Sequence, residues 1–289
     1  MAEYKIKDVE ILTGIKAHTL RIWEKRYGIL VPDRTDTQIR TYTDEELSFL
    51  LNISLLNKHG LKISKIAALS KNEIATKVWD LHSVSVLDTS GEQFVLALLE
   101  MDERLFTHTL QAIINEVGLE KTFTDHLIPF LERIGVMFLV GSINPAQEHF
   151  MSNVIRQKVI AEIDKLPIPS VDEKPVLLFL PEHEWHELGL LFYQYLLRKH
   201  GVSTFYLGQS LPYDSLVKSI NLLNPRVIIS SWLTAVDESF IRNYFEKLQK
   251  DAPDALLCSG GAQIKVHLKK LPKSVVPIEK AVEVLQLVR

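Results

Sequence analysis

Cysteine is nearly absent from this chain of 289 residues, which holds a single one at Cys258. One thiol excludes an intramolecular disulfide and any zinc site built from several cysteines. Apolar runs of about 18 residues, the length of a transmembrane helix, are also missing from the sequence. The amino-terminal stretch has no basic segment followed by an apolar one, as a signal peptide would, and we therefore expect a cytoplasmic protein.

A strong excess of one charge is missing as well, because 33 basic and 36 acidic residues leave a net charge of −3. The basic residues are unevenly distributed, and residues 16–40 hold six Lys or Arg against three Asp or Glu, a local balance of 6 − 3 = +3. A locally basic segment is compatible with contacts to phosphates, although a solvated surface would have the same composition. The apolar share of 46% and the charged share of 24% are typical of a globular protein.

The first segment, residues 1–75, is predicted to form short helices separated by turns. "IKDVEILTG" and "KAHTLRIWEKRYG" carry apolar residues at helical spacing, and Gly14 and Gly28 end the two helices. Two short helices joined by a tight turn are the helix-turn-helix pattern. An extended stretch follows, and then Thr43 with Glu46 three residues later forms the capping box of another helix.

The remaining chain contains two segments with different sequence patterns. Residues 76–166 contain four amphipathic stretches and predict a small four-helix bundle. After the linker "PIPSVDEKP", residues 174–289 alternate short apolar strands with helices, which predicts a doubly wound parallel sheet. The expected fold class is therefore multidomain α and α/β, with a winged helix-turn-helix, a helical bundle and a Rossmann-like sheet.

One short segment, "PEHEWHELG" at residues 181–189, concentrates ionisable side chains where the first strand of this sheet ends. Ligands of doubly wound sheets bind outside the carboxyl ends of the strands. The segment is either a solvated turn or part of a ligand site.

Residues 4–69 resemble the winged helix-turn-helix domain of the MerR superfamily of bacterial transcription regulators. The resemblance is carried by "YKIKDVEILTGIKAHTLRIWEKRYGIL", by "PDRTDTQIRTYTDEEL", which matches the wing, and by "LLNKHGLKISKIAALS". It implies binding to near-palindromic, double-stranded promoter DNA as a dimer or a higher homo-oligomer, and a regulator rather than an enzyme.

The resemblance also implies which side chains face DNA. A recognition helix presents polar side chains to the major groove, and wing residues hold phosphates, which set register. Trp23 and Tyr27 are interpreted as packing groups, and His18 has an alternative interpretation as an exposed helix residue. The candidates are Lys16, His18, Thr19, Arg21 and Lys25 for the groove, and Arg34, Gln38, Arg40 and Tyr42 for the wing.

Within "PEHEWHELG", residues Glu184, His186 and Gly189 form E-x-H-x-x-G, which resembles the fingerprint of Rossmann-like cobalamin-binding domains. In that family the histidine ligates the cobalt of cobalamin from below, the carboxylate orients the imidazole, and the glycine lets the nucleotide tail approach the backbone. His183 is a rival ligand whose spacing to Gly189 does not fit, and an exposed turn residue is the preferred interpretation.

Two later pieces extend the resemblance. Ser231 and Leu233 match the family's S-x-L, and Gly260 with Gly261 matches its G-G, all at predicted strand ends where the nucleotide tail would run. The alternative is a doubly wound domain in which these serine and glycine residues only cap helices and form turns.

The helical segment resembles the cap of the light-sensing MerR regulators, the CarH and LitR group, which carries a W-x9-E-H pattern over the upper face of the corrin. Glu148 and His149 are present here, but Phe138 replaces the tryptophan and Leu139 follows it. Phenylalanine keeps an apolar plate and loses the indole N–H. The sequence therefore leaves open which cobalamin is bound (adenosyl, methyl or hydroxo) and whether light is sensed, and Glu148 with His149 could equally be a surface pair.

The sequence patterns and the resemblances are compatible with three functions. The leading hypothesis is a transcription regulator in which a cobalamin controls oligomer state and promoter binding, as a B12 or light sensor. The second is a regulator whose ligand-free C-terminal domain serves oligomerisation. The third, a subunit of a cobalamin-dependent methyltransferase or mutase, lacks a segment for a catalytic barrel of about 250 residues.

Overall fold

The computed structural model describes residues 4–35, 38–81, 86–139, 143–170 and 174–288. The chain divides into two compact units, Met1–Val154 and Ile155–Arg289. In these described ranges no helix combines the length and the apolar character needed to cross a membrane.

The first unit begins with the predicted helix-turn-helix. Gly14 and Gly28 end the two helices in left-handed conformations, with φ of 72° and 61°, where glycine avoids the strain of a side chain. The wing forms a three-stranded antiparallel sheet in the order β1-β3-β2, and the amino-terminal strand of this sheet was not predicted. The elements are β1 (Tyr4–Lys5), α1 (Ile6–Thr13), α2 (Ala17–Tyr27), β2 (Asp33–Arg34) and β3 (Arg40–Tyr42).

Three further helices close this region. The predicted capping box is present, because the Thr43 hydroxyl accepts from the Glu46 N–H at 3.2 Å and the Glu46 carboxylate accepts from the Thr43 N–H at 2.9 Å. The helices are α3 (Asp44–Lys58), α4 (Ile63–Ile66) and α5 (Lys71–Leu81).

The middle of the chain is helical throughout its described residues, as predicted. Gly118 leaves the helical conformation (φ 78°, ψ 161°) and is followed by a π-helical turn. The rings of Phe94, Phe106 and Phe130 form the core, with centroids 4.6 to 5.7 Å apart. The elements are α6 (Val86–Glu100), α7 (Glu103–Lys121), the π-helical turn (Thr122–Leu127), α8 (Ile128–Leu139) and α9 (Pro145–Asp164).

Helices α3 and α6 pack against each other in opposite directions and join the helix-turn-helix region to the bundle. The Ser48 hydroxyl donates to the Glu100 carboxylate at 2.8 Å near the start of α3, and Lys58 pairs with Glu92 at its end. Buried leucines, including Leu55, fill the space between these polar contacts. Apolar burial with polar contacts at both ends fixes the register of the two helices.

The second unit contains a five-stranded parallel sheet in the order β5-β4-β6-β7-β8. This is a doubly wound topology whose strand order reverses between β4 and β6. The predicted strands and helices are confirmed, and β4 and β6 are buried along their whole length. The elements are β4 (Val176–Phe179), α10 (Leu188–Lys199), β5 (Thr204–Tyr206), α11 (Tyr213–Leu223), β6 (Val227–Ser231), α12 (Glu238–Asp251), β7 (Leu256–Gly260), α13 (Ala262–His267) and β8 (Val275–Pro277), with 3₁₀ turns at Leu268–Lys270 and Ala281–Leu285.

The two faces of the sheet are covered by different helices. Leu177, Phe179 and Ile228 share one core cluster with residues of α11, α12 and α13, and Trp232 and Phe245 are its largest side chains. Because side chains alternate along a strand, Ser231 lies on the opposite face, where α10 packs.

The turn from β7 into α13 is the tightest packing point of the second unit. Gly261 has φ of 99°, and a Cβ atom there would lie 2.3 Å from the Trp232 carbonyl oxygen. That oxygen accepts from the Gln263 N–H at 3.0 Å, so it is fixed in place. At the preceding position, a Cβ on Gly260 would lie 2.5 Å from the Tyr193 hydroxyl. Gly261 is therefore required by the close approach of the backbone after β6, and Gly260 leaves room for the Tyr193 side chain of α10.

We expect Gly261→Ala to destabilise the protein more than alanine at another glycine with a positive φ. Gly201→Ala is the matched control, because Gly201 also has a positive φ (75°) but nothing within 4 Å of its Cβ position. The control should lose about 1–2 kcal/mol, and Gly261→Ala about 2 kcal/mol more through the displaced carbonyl. Urea denaturation measures both, and equal losses would show that the close approach is relieved by relaxation.

Candidate functional site

The segment "PEHEWHELG" follows β4 directly and lies at the carboxyl edge of the sheet, next to the point where the strand order reverses. The loops after β5 and β6 flank it on either side. Pro181 forms an isolated bridge with Leu211 after β5, and Glu184 is hydrogen-bonded to the loop after β6. Ligand crevices of doubly wound sheets open at this location.

Glu184 joins the two strand-end loops through a buried carboxylate that is 2% exposed. Its Oε2 accepts from the N–H groups of Leu233 and Thr234, both at 2.7 Å. Its Oε1 accepts from the N–H groups of Trp185 and His186 at 3.0 Å and from the Thr234 hydroxyl at 3.1 Å. Backbone donors of this number satisfy a buried charge and fix the carboxylate in one position.

The environment of Glu184 keeps it ionised. Burial opposes the charge, but hydrogen bonds from the His186 ring and from the N–H groups of Thr234, His186 and Leu233 outweigh burial and lower the pKa of Glu184 from 4.5 to about 2. The carboxylate is therefore an acceptor at every physiological pH.

The ring of His186 is hydrogen-bonded to this carboxylate. Its Nδ1 lies 2.6 Å from Glu184 Oε1, and its side chain is 58% exposed. Because an ionised carboxylate can only accept, Nδ1 carries the proton of the neutral ring, and Nε2 holds the lone pair. An imidazole oriented by a carboxylate through the opposite nitrogen is the usual arrangement of a histidine metal ligand.

Two neighbours of His186 in this loop differ in their conformation and contacts. His183 adopts a left-handed conformation (φ 68°), and its N–H donates to the Ser210 hydroxyl at 3.0 Å, as expected for an exposed turn residue. Trp185 is 61% exposed, while its carbonyl accepts from the Gln209 side chain at 2.8 Å. The exposed indole beside His186 was not singled out from the sequence, although its place in the motif was visible.

Glu187, the last glutamate of the segment, is also buried and was not predicted as a site residue. It pairs with Arg156 of α9 and accepts from the Tyr206 hydroxyl of β5 at 2.5 Å. Burial and this hydrogen bond raise the pKa of Tyr206. Glu187 therefore anchors the start of α10 to β5 and α9, and no sequence spacing predicts partners so far apart.

The other predicted cofactor residues of this unit are brought to the same edge. Gly189 is the second residue of α10, and a Cβ there would meet nothing within 4 Å. Ser231 and Gly260 end β6 and β7, are paired in register and share the α10 face. Leu233 is partly exposed beside Glu184. Packing explains why Gly260 and Gly261 are glycines, whereas packing does not explain the glycine at Gly189.

The predicted residues of the helical segment lie in the first unit and at its boundary. Phe138 lies near the end of α8 and is about half exposed, and Leu139 is the last residue of that helix. Glu148 and His149 lie in the first turn of α9, with 3.2 Å between Glu148 Oε2 and His149 Nδ1. Glu148 also accepts from the Ser152 hydroxyl at 2.5 Å. These contacts are those of a helix-surface pair.

The recognition helix α2 turns its candidate residues outward. Leu20 and Trp23 are buried, which confirms Trp23 as a packing group. His18, Arg21 and Lys25 are exposed on the opposite side. Lys16 is exposed before the helix and pairs with Glu10 at 3.1 Å, and Thr19 is half-buried.

The wing candidates fall into two groups. Arg34 and Gln38 are exposed, and Gln38 adopts φ of 63°, while residues 36 and 37 between them lie outside the described part of the chain. Arg40 pairs with Glu24 of α2 at 2.9 Å. Tyr42 is fully buried and its hydroxyl donates to Glu24 at 2.7 Å. The burial of Tyr42 weighs against a direct phosphate contact and favours a role in fixing α2 to the wing.

Comparisons with known proteins address both regions. The family model of the MerR HTH family regulatory proteins matches residues 4–73, and that of the B12 binding domain matches residues 91–161. The HTH-type transcriptional repressor CarH of Myxococcus xanthus is 28% identical over 277 residues, covering 92% of each chain. CarA, a second HTH-type transcriptional repressor of that organism, is 28% identical over 270 residues, covering 92% of this chain and 89% of CarA.

A solved structure has a related fold. The monomethylamine corrinoid protein of Methanosarcina barkeri aligns with a TM-score of 0.55 over 66% of this chain and 93% of its own, at 15% identity. Together with the family matches, this confirms the predicted fold class of helix-turn-helix, helical region and Rossmann-like sheet. The chain carries a MerR-type helix-turn-helix domain and a B12-binding domain, and it is homologous to the CarH and CarA repressors over nearly its whole length.

Proposed function

We propose that this chain is a one-component transcription regulator that binds promoter DNA and senses B12. In this proposal His186 is the lower ligand of a cobalamin, and the bound cobalamin sets the oligomer state and thereby the affinity for the promoter. The chain is a regulator and not an enzyme, as are the curated relatives that it matches. The observation that carries the ligand proposal is the exposed imidazole of His186 on the buried carboxylate of Glu184.

The residues around His186 fit a corrin ring. With Nδ1 engaged by Glu184, the ligand atom would be Nε2 on the exposed ring. Cobalamin would supply a cobalt ion that accepts an imidazole nitrogen as a ligand. Glu184 holds the ring in one tautomer, and the open space at Gly189 leaves room for a nucleotide tail beside the start of α10.

The contacts to the rest of the cofactor are proposed residue by residue. Ser231 and Leu233 would contact the tail at the end of β6. Gly260 and Gly261 would contribute through the backbone, since their side-chain positions are occupied by the protein itself. Phe138, Glu148 and His149 are proposed as further contacts of the cofactor. Phenylalanine offers an apolar plate without an N–H donor, so no particular upper ligand and no light response is assigned.

The DNA-binding part of the proposal uses the exposed side of α2 and the wing. The groove candidates are cationic or polar, and base edges and phosphates accept hydrogen bonds from such groups. Arg40, paired with Glu24, and the buried Tyr42 would position α2 rather than hold a phosphate by themselves. The proposed contacts are Lys16, His18, Thr19, Arg21 and Lys25 in the groove, with Arg34 and Gln38 on phosphates.

The proposal includes assembly, location and domain limits. Near-palindromic DNA requires two copies of the reading helix, so the functional form is a homodimer or a higher homo-oligomer. Access to promoter DNA places the protein in the cytoplasm. We assign residues 1–75 to DNA binding, 76–166 to the helical cap and 174–289 to the Rossmann-like domain.

A second candidate is a regulator of the same kind whose C-terminal region binds no corrinoid and serves oligomerisation. Two observations favour it: Gly260 and Gly261 are explained by packing, and Phe138 replaces the tryptophan of the cap pattern. It predicts DNA binding that no corrinoid changes, so one titration separates the two candidates.

The ligand proposal predicts a spectral change that depends on one imidazole. Hydroxocobalamin and methylcobalamin should shift their visible absorption on binding the full chain, because His186 would become a ligand of the cobalt. His186→Ala should abolish this shift and weaken binding more than tenfold. His183→Ala is the matched control, since His183 is an exposed histidine three residues away, and it should behave as the parent does.

Gel filtration of the same samples, in darkness and after illumination, reports the oligomer. If adenosyl-, methyl- and hydroxocobalamin all leave the spectrum and elution of the parent unchanged, the ligand proposal is wrong and the second candidate stands. A parent-like spectrum for His186→Ala would remove His186 as the ligand.

Glu184→Gln should destabilise the second unit in a pH-dependent way. A pKa lowered from 4.5 to about 2 contributes about 3 kcal/mol to the free energy of unfolding, fully present above pH 5 and lost as the pH falls toward 2. The difference between parent and variant, measured by urea denaturation, should therefore be fully developed above pH 5 and shrink as the pH falls toward 2.

The exposed Glu182 of the same loop provides the control, and Glu182→Gln should stay within about 0.5 kcal/mol of the parent. Glu184→Gln should also weaken corrinoid binding by about 10- to 100-fold, because the imidazole loses its orienting carboxylate. A pH-independent difference would contradict the buried, ionised carboxylate.

A further inference from the structure

The outward side of α2 carries a side chain that the DNA-binding candidates do not include. His18, Arg21, Ile22 and Lys25 follow the spacing i, i+3, i+4 and i+7, which places them on one face of a helix. All four are exposed, and Leu20 and Trp23 on the opposite face are buried. The face that would enter a major groove therefore contains one aliphatic residue among three polar ones.

Ile22 is 52% exposed, so the fold leaves about half of this apolar side chain in water. Single exposed aliphatic residues are common on protein surfaces and need no explanation by themselves. The position of Ile22 is the informative observation, because its three neighbours on the face are the cations or polar groups that suit phosphates and base edges. A protein partner with an apolar surface would meet these cationic groups unfavourably, whereas DNA would not.

The major groove offers one apolar group, the C5-methyl of thymine. An exposed aliphatic side chain on the groove-facing side of a recognition helix can bury itself against such a methyl. We propose that Ile22 is a specificity-determining residue that selects thymine at one position of each half-site through its 5-methyl group. This inference rests on the proposed DNA binding by α2 and adds the kind of base that α2 selects.

The test begins with operator selection, because the bound sequence must come from the protein itself. The full-length chain is used to enrich duplexes from a random pool, and the enriched half-site gives the parent duplex. Each thymine of that half-site is then replaced by deoxyuridine, one position at a time, which removes only the 5-methyl group. Binding is measured at fixed salt for the parent protein, Ile22→Ala and Ile22→Val.

The parent protein should lose about fourfold in affinity at one thymine position per half-site, the effect of one buried methyl group. Ile22→Ala should bind the thymine duplex about as weakly as the parent binds the deoxyuridine duplex, and it should no longer distinguish the two. Ile22→Val should keep a reduced preference. Leu222→Ala, at an aliphatic residue that is 83% exposed in the second unit, should leave the thymine preference unchanged.

Two outcomes would overturn the inference while DNA binding stands. One is an enriched half-site at which no deoxyuridine substitution weakens the parent protein. The other is an equal loss for the parent and Ile22→Ala at every position. If no duplex is enriched at all, DNA binding by this chain fails first and the inference falls with it. Ile22→Ala changes a half-exposed residue, and thermal unfolding that matches the parent excludes a folding defect.

Discussion

The buried carboxylate of Glu184 is the interaction on which the candidate ligand site depends. It bonds the loop after β4 to the loop after β6 through four backbone N–H groups, and it holds the His186 ring by the nitrogen that would not ligate metal. Without these bonds the two loops would keep unsatisfied donors at the reversal point of the sheet, and the imidazole would rotate freely. One ionised group thus fixes both this edge of the sheet and the candidate ligand side chain that is hydrogen-bonded to it.

The DNA-reading region uses an interior carboxylate in the same way. Glu24 of α2 is 9% exposed at its side chain, and it accepts from Arg40 and from the buried Tyr42 of the wing. The wing is short, with strands of two and three residues, and it has little apolar surface of its own to bury. Two charge-assisted hydrogen bonds onto the recognition helix compensate for this small core. In both regions a glutamate with little exposure joins two separate segments of the chain.

How much the sequence predicts follows from the range of the interactions involved. Helix ends at Gly14 and Gly28, the capping box at Thr43 and the apolar strands of the sheet are local signals, and they were predicted correctly. The pairing of Glu187 with Arg156 and Tyr206 joins residues 31 and 19 positions away, and no spacing rule predicts it. The burial of Tyr42 and the first strand β1 also depend on tertiary pairing. The spacing of the fingerprint predicted Glu184 and His186 as site residues, but only the structure identifies the donors that keep the carboxylate charged. For Gly260 and Gly261, only the structure shows that packing also requires glycine at these positions.

Because α3 packs on α6, a rotation of the helical bundle would also displace the helix-turn-helix region. Buried leucines lie between the Ser48–Glu100 and Lys58–Glu92 contacts, so α3 is held against α6 near both of its ends. The 15 residues of α3 span about 22 Å at 1.5 Å per residue. Over such an arm, a tilt of about 10° moves the far end by about 4 Å, more than the roughly 3.4 Å step between base pairs. In the proposed dimer on DNA, a small angular adjustment of the helical bundles would already put the two recognition helices out of phase with successive major grooves.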